Sequence, residues 1–142
     1  DEPLSGLDPI GVDTMAEILR SQARAGKAVV FSSHQLDLVE DLCDDVAIIN
    51  RGRIVVSGNV KQLKDAAPIR HLELEIDGPV DEILSSLDGV RSAEVVDGRH
   101  VIVVDATTDV RQVLAEAERS GVVRHFVYST PSLTDLFREA VA

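Results

Sequence analysis

The sequence predicts two fold classes in series, an α/β part over residues 1–67 and a small α+β module over residues 68–142. Three observations carry that division. A helical pattern near the start is followed by an all-apolar run, Ala28-Val29-Val30-Phe31, which suits a parallel strand buried on both faces. From Ile69 the pattern changes to strict alternation, with Leu72, Leu74 and Ile76 on one face and Glu73, Glu75 and Asp77 on the other. Ala66-Ala67-Pro68 between them reads as a linker.

In order along the chain, Asp1-Glu2 sets two carboxylates ahead of Pro3, which has no N–H to continue a strand, and Ser5-Gly6 supplies a turn. Asp8-Pro9 reads as an N-cap and first helical position. Ile10, Val12, Met15, Ile18 and Leu19 then recur at helical spacing up to Ala25, with Gly26 as the stop, and form a packing face. The strand Lys27–Phe31 ends just before His34. Leu36–Leu42 is a short amphipathic helix whose acidic residues read as a solvated face. Residues Asp45–Asn50 and Arg53–Gly58 flank Arg51-Gly52 as a β-hairpin, and Asn59–Asp65 closes the part as a helix capped by Asn59.

The second module reads as strand Arg70–Asp77, helix Val80–Leu87, strands Val90–Val96 and His100–Val104 joined at Asp97-Gly98, helix Asp109–Ser120, strand Val122–Ser129, and a last helix from Pro131 to Ala142. The order β-α-β-β-α-β is that of a ferredoxin-like fold.

Net charge is −11, with 7 basic against 11 acidic residues up to Ala67 and 7 against 14 after it, which argues against a nucleic-acid partner held through phosphates. An RNA-binding sheet would in addition want exposed aromatic and basic residues, and Phe126 and Tyr128 in an acidic module do not supply them. No apolar run approaches the roughly 20 residues that span a bilayer. Cys43 is the only cysteine and sits among Leu42, Val46 and Ala47, so it reads as a small buried hydrophobe without a catalytic role, in a reducing cytosol. His71, His100 and His125 lack Cys or carboxylate co-ligands at metal-binding spacing.

The chemistry concentrates at the amino end. An Asp at the carboxyl end of a strand can hold magnesium through its waters, and a Glu beside it can take a proton from a water attacking a phosphate. Residues beyond the carboxyl ends of neighbouring strands in an open α/β sheet converge on one crevice, so Glu2 and His34 would face the same ligand.

Asp1-Glu2-Pro3-Leu4-Ser5-Gly6-Leu7-Asp8-Pro9 resembles the end of the Walker B strand and the D-loop of ABC transporter ATPases, and Ser32-Ser33-His34-Gln35-Leu36 resembles their switch-histidine loop. The hairpin with Gly52-Arg53-Ile54 also fits that family. The tail from Ile69, ending in Leu133-Thr134-Asp135-Leu136-Phe137, resembles the small C-terminal appendage of ATPases that serve drug-exporting and other ABC-2-type transporters. The first part is thereby identified as part of a P-loop ATPase domain.

That resemblance implies ATP and Mg2+ as cofactors in the full-length protein: Asp1 on the metal through water, Glu2 as general base or water-orienting group, His34 at the γ-phosphate, and Ser5, Gly6, Leu7 and Asp8 as the D-loop that meets a second copy. It implies a second ATPase subunit, a membrane-embedded permease, export driven by hydrolysis, and a cytoplasmic place at the inner face of the membrane. The family's phosphate-cradling Gly-rich loop with its Lys, its Gln-containing loop and its Leu-Ser-Gly-Gly signature are absent from these 142 residues. The chain is accordingly expected to be the carboxyl-terminal portion of such an ATPase, inactive and without nucleotide when alone. The contrasting expectation is a regulatory or dimerisation module without catalytic activity.

Overall fold

The computed structural model describes residues 1–80, 83 and 87–141. In chain order the elements are α1 (Pro9–Arg24), α2 (Leu36–Leu42), β1 (Asp45–Asn50), β2 (Arg53–Asn59), α3 (Val60–Ala66), β3 (Ile69–Asp77), β4 (Val90–Val96), β5 (Arg99–Asp105), α4 (Val110–Ser120), β6 (Val122–Ser129) and α5 (Leu133–Val141). They form a mixed α/β chain in which both sheets are antiparallel. The chain divides into two units, residues 1–61 with 132–142, and residues 62–131.

In the first unit, α1 starts where the sequence places it. The Asp8 carboxylate accepts the Gly11 N–H at 2.7 Å, Pro9 needs no partner at the first turn, and Gly26, at φ +81°, follows the Ala25 C-cap. Its apolar positions do not all pack. Ala16 is buried, whereas Ile10 is 76% exposed. The hairpin β1–β2 turns through Arg51 and Gly52, both at positive φ, as a two-residue connection between right-twisted strands requires. The Asn59 amide and the Val60 N–H both donate to the Asp44 carbonyl at 2.9 Å and close the base of the hairpin.

The parallel strand expected at Lys27–Phe31 does not form: this segment has no strand pairing, and Val30 is 94% exposed. A strand of this kind is stabilised by neighbours on both edges. What the described residues show instead is a bond just past its end, from the Glu2 N–H to the Ser32 carbonyl at 2.9 Å. The last helix also differs from expectation. It begins at Leu133, and it packs on α2 and β2 of the first unit instead of joining the second.

The second unit is a four-stranded sheet in the order β4-β5-β3-β6. Leu72 on β3 faces Ile102 on β5 and Tyr128 on β6, so the inward residues of three strands meet in one layer. Leu72, Leu74 and Ile102 are fully buried with Val113 and Ala117 of α4. Burying one such aliphatic side chain stabilises by about 1.5–3 kcal/mol. Asp109 caps α4 by accepting the Arg111 N–H at 3.0 Å. The wet face carries the polar half of the alternation, with Glu73 against His125 and Glu75 against Arg99, each at 3.2 Å. The helix expected over Val80–Leu87 lies largely outside the described residues, although Val80 and Ile83 belong to the same buried cluster.

Candidate functional site

Two separated segments build the site. Asp1 and Glu2 precede the turn that leads into α1, and Ser32–Gln35 precede α2. The turn is closed by the Ser5 N–H on the Glu2 carbonyl at 3.1 Å, anchored by the buried Leu4, and released through Gly6 at φ +75°. Gly6 meets the demand for a left-handed residue that a side chain would resist. Ser5, Gly6, Leu7 and Asp8 are exposed along this turn.

Glu2 is the centre of the arrangement. Its Oε1 accepts the main-chain N–H of His34 at 2.9 Å and lies 2.8 Å from the His34 ring Nδ1, while its Oε2 accepts the Ser33 hydroxyl at 3.2 Å. A carboxylate can only accept, so Nδ1 carries the proton in this contact. The same bonds, that of the His34 ring first, hold the Glu2 carboxyl below its ordinary range and keep it ionised. The Ser32 hydroxyl donates to the Asp1 carboxylate, and the Ser33 hydroxyl also accepts the Gln35 N–H at 3.2 Å. The backbone at Glu2 is held at φ +46°, a left-handed conformation that a non-glycine residue adopts at a cost of about 1–3 kcal/mol.

The structure therefore brings Glu2 and His34 together across 32 positions of sequence. It places Asp1 beside Ser32, and Ser5 to Asp8 follow in the turn, joined to Glu2 by the main-chain bond from Ser5. The parts played by the Ser32 and Ser33 hydroxyls are not readable from spacing. Their one signal is that two hydroxyl residues immediately precede the histidine.

The donor set suits a lightly coordinated hard cation. Magnesium keeps most of its waters and takes one or two carboxylates besides phosphate oxygens, which Asp1 can supply. Among the described residues no group of three or more His, Cys, Asp or Glu could enclose a metal. Cys43 is half-buried, and that burial pushes its thiol up, away from the reactive thiolate. No helix among the described residues is long and apolar enough to cross a membrane.

Comparison with known proteins gives this geometry its setting. Residues 58–141 match the family described as ATP-binding protein DrrA1-3-like, C-terminal domain. The chain is 35% identical over 142 residues to an uncharacterized ABC transporter ATP-binding protein of Alkalihalophilus pseudofirmus, covering 99% of this chain and 52% of that protein. It is 34% identical over 143 residues to the uncharacterized ABC transporter ATP-binding protein YhaQ of Bacillus subtilis, covering 99% and 47%. An energy-coupling factor transporter ATP-binding protein of Clostridium perfringens, EcfA2, is 34% identical over 93 residues, 63% of this chain and 33% of that protein. The chain spans about half the length of the first two relatives. Matched over residues 58–141 by that domain and along nearly its whole length by ABC ATP-binding proteins, the chain belongs to the ABC transporter ATP-binding proteins that carry a DrrA1-3-like C-terminal domain.

Proposed function

We propose that the chain is the carboxyl-terminal portion of an ATP-hydrolysing subunit that couples hydrolysis to export through a membrane-embedded permease. The observation that carries the reading is the convergence of the adjacent Ser33 and His34 on the Glu2 carboxylate, 31 and 32 positions away in sequence. Glu2 orients and deprotonates the attacking water, its carboxylate held by the Ser33 hydroxyl and by His34. His34 is tied to Glu2 through Nδ1, so its Nε2 edge is the one available to a γ-phosphate. Asp1, steadied by Ser32, would be the residue to hold magnesium, and that ion would supply positive charge against the phosphates. Ser5 to Asp8 form the loop that meets a second ATPase subunit, in an assembly held at the cytoplasmic side of the membrane by the permease. In this reading the phosphate-cradling loop belongs to the longer protein, and the 142-residue chain alone hydrolyses nothing.

The antiparallel order β4-β5-β3-β6 and the helix α4 on one face support a ferredoxin-like reading of the second unit, as an appendage outside the catalytic part.

The test is Glu2→Gln in the complete subunit. The amide keeps an oxygen to accept from His34 but has no basic oxygen for the water. Hydrolysis should fall by roughly 10²–10⁴-fold with ATP still bound, the range lost with a general base. Wild-type hydrolysis by Glu2→Gln would remove Glu2 from the chemistry and the reading with it.

A further inference from the structure

We propose that Glu40 is a positioning residue for the switch histidine: it clamps the start of the C-terminal helix α5 to α2, and so fixes the segment that carries His34. The inference rests on the proposed role of His34 and extends it to residues that no motif marks.

The start of α5 needs a partner from elsewhere. Ser132 and Asp135 form a reciprocal cap, in which the Ser132 N–H and hydroxyl donate to Asp135 Oδ2 at 2.9 and 2.6 Å and the Asp135 N–H donates to the Ser132 hydroxyl at 3.2 Å. The Leu133 N–H lies outside that exchange, on a residue that is itself fully buried. It donates to Glu40 Oε2 at 2.7 Å, across 93 positions of sequence. The bond is charge-assisted, and it sets a carboxylate against the positive end of a helix.

On its side, α2 needs holding. It has seven residues, far below the roughly 12–15 at which a helix becomes marginally stable alone, and Gln35 at its N-cap makes no side-chain capping bond. Asp37 and Asp41 face solvent, whereas Glu40 is half-buried and turned to α5, and Leu133 and Leu136 are buried in the same unit. The helix starts at Leu36, two residues past His34. Whatever loosens α2 therefore loosens the chain segment that bears the ring. The far end of the clamp is continuous with the second unit, because β6 runs through Thr130 and Pro131 into α5.

The experiment uses the complete subunit with Glu40→Ala, Glu40→Gln, a chain ended after Pro131, and Glu40→Ala in that shortened chain. Two quantities are read: amide exchange over residues 36–42, and kcat and KM for ATP. Glu40→Ala should raise exchange in α2 roughly ten-fold, the size of a lost helix cap, and lower kcat several-fold with KM for ATP unchanged. Glu40→Gln, which keeps an acceptor oxygen on the same stem, should retain most of both. In the chain ended after Pro131, Glu40→Ala should add nothing, since the two changes remove one clamp. Unchanged exchange in Glu40→Ala, or full additivity in the shortened chain, would overturn the proposal. The exchange measurement reads the anchoring of α2 whether or not ATP is hydrolysed, so failure here is separable from failure of the catalytic reading, which Glu2→Gln tests.

Discussion

A close backbone approach in the second unit, at Gly78 and Gly121, makes a quantitative test of its fold. A Cβ added at Gly121 would stand 2.2 Å from the Asp77 carbonyl oxygen and 2.8 Å from its carbon, and one added at Gly78 would meet the Ser120 carbonyl oxygen at 2.3 Å. The Gly121 backbone, at φ 169°, is extended and open to any residue, so the demand for glycine here is one of space. Carbon and carbonyl oxygen approach to ~3.3 Å at closest in ordinary contact, so Gly121→Ala must push the end of β3 and the start of β6 apart by about 1 Å. That strains the pairs Asp77↔Val122 and Ile76↔Val123, already beside a bulge. Overpacking of this kind costs about 1–3 kcal/mol, against a return of about 0.4–1 kcal/mol from restricting the unfolded chain. The urea midpoint should fall by ~0.5–1 M for a typical slope. Tyr128, the only tyrosine in a chain without tryptophan, packs against the core from β6 and reports this unit by its fluorescence. Gly121→Ala with an unchanged midpoint would show that the two strand ends are not held together as described.

Leu72→Ala, at a fully buried position facing both β5 and β6, should destabilise the same unit by about 2–5 kcal/mol in the same titration. Arg124 forks onto Asp77, with Nε 2.9 Å from both oxygens, and holds the Asp77 carboxyl below its usual range. A lowered folded value makes the contribution present above the unfolded value of about 4 and lost as pH falls through the folded one. The midpoint difference between wild type and Asp77→Asn should therefore shrink between about pH 5 and pH 2, and a difference constant over that range would refute the pairing. Residues 62–131 expressed alone should fold cooperatively by circular dichroism, since the cluster around Leu72 and Val113 is closed within them. A random-coil spectrum would show that this core needs residues outside that span.

What could be read from the sequence is what depends on near neighbours in it. The cap at Asp8, the hairpin turns at Arg51-Gly52 and Asp97-Gly98, and the in-out alternation of Leu72, Leu74 and Ile76 are all fixed within a few residues. The sequence places Glu2 and His34 toward one ligand through a parallel sheet, whereas the described residues join them directly, Glu2 Oε1 lying 2.8 Å from the His34 ring, with no such sheet between them. The run at Ala28–Phe31 shows the limit of that reasoning. Its composition specifies a strand that others cover, but pairing is a property of two segments, and Val30 remains exposed.

The C-terminal helix shows the same limit from the opposite side. An amphipathic helix states in its sequence that one face wants burial, and Leu133 and Leu136 are buried as that pattern asks. The pattern carries no address. Continuity with β6 argues for packing on the second unit, and the ordinary preference for short connections agrees. The helix packs on α2 and β2 instead, and there the N–H of the buried Leu133 finds an acceptor in the Glu40 carboxylate at 2.7 Å. Taken alone, Glu40 is one acid in a run of Asp37, Glu40 and Asp41 and belongs to a wet face. Its role depends on a donor 93 residues away, so only the folded chain reveals that an acid of α2 accepts from the first turn of the last helix.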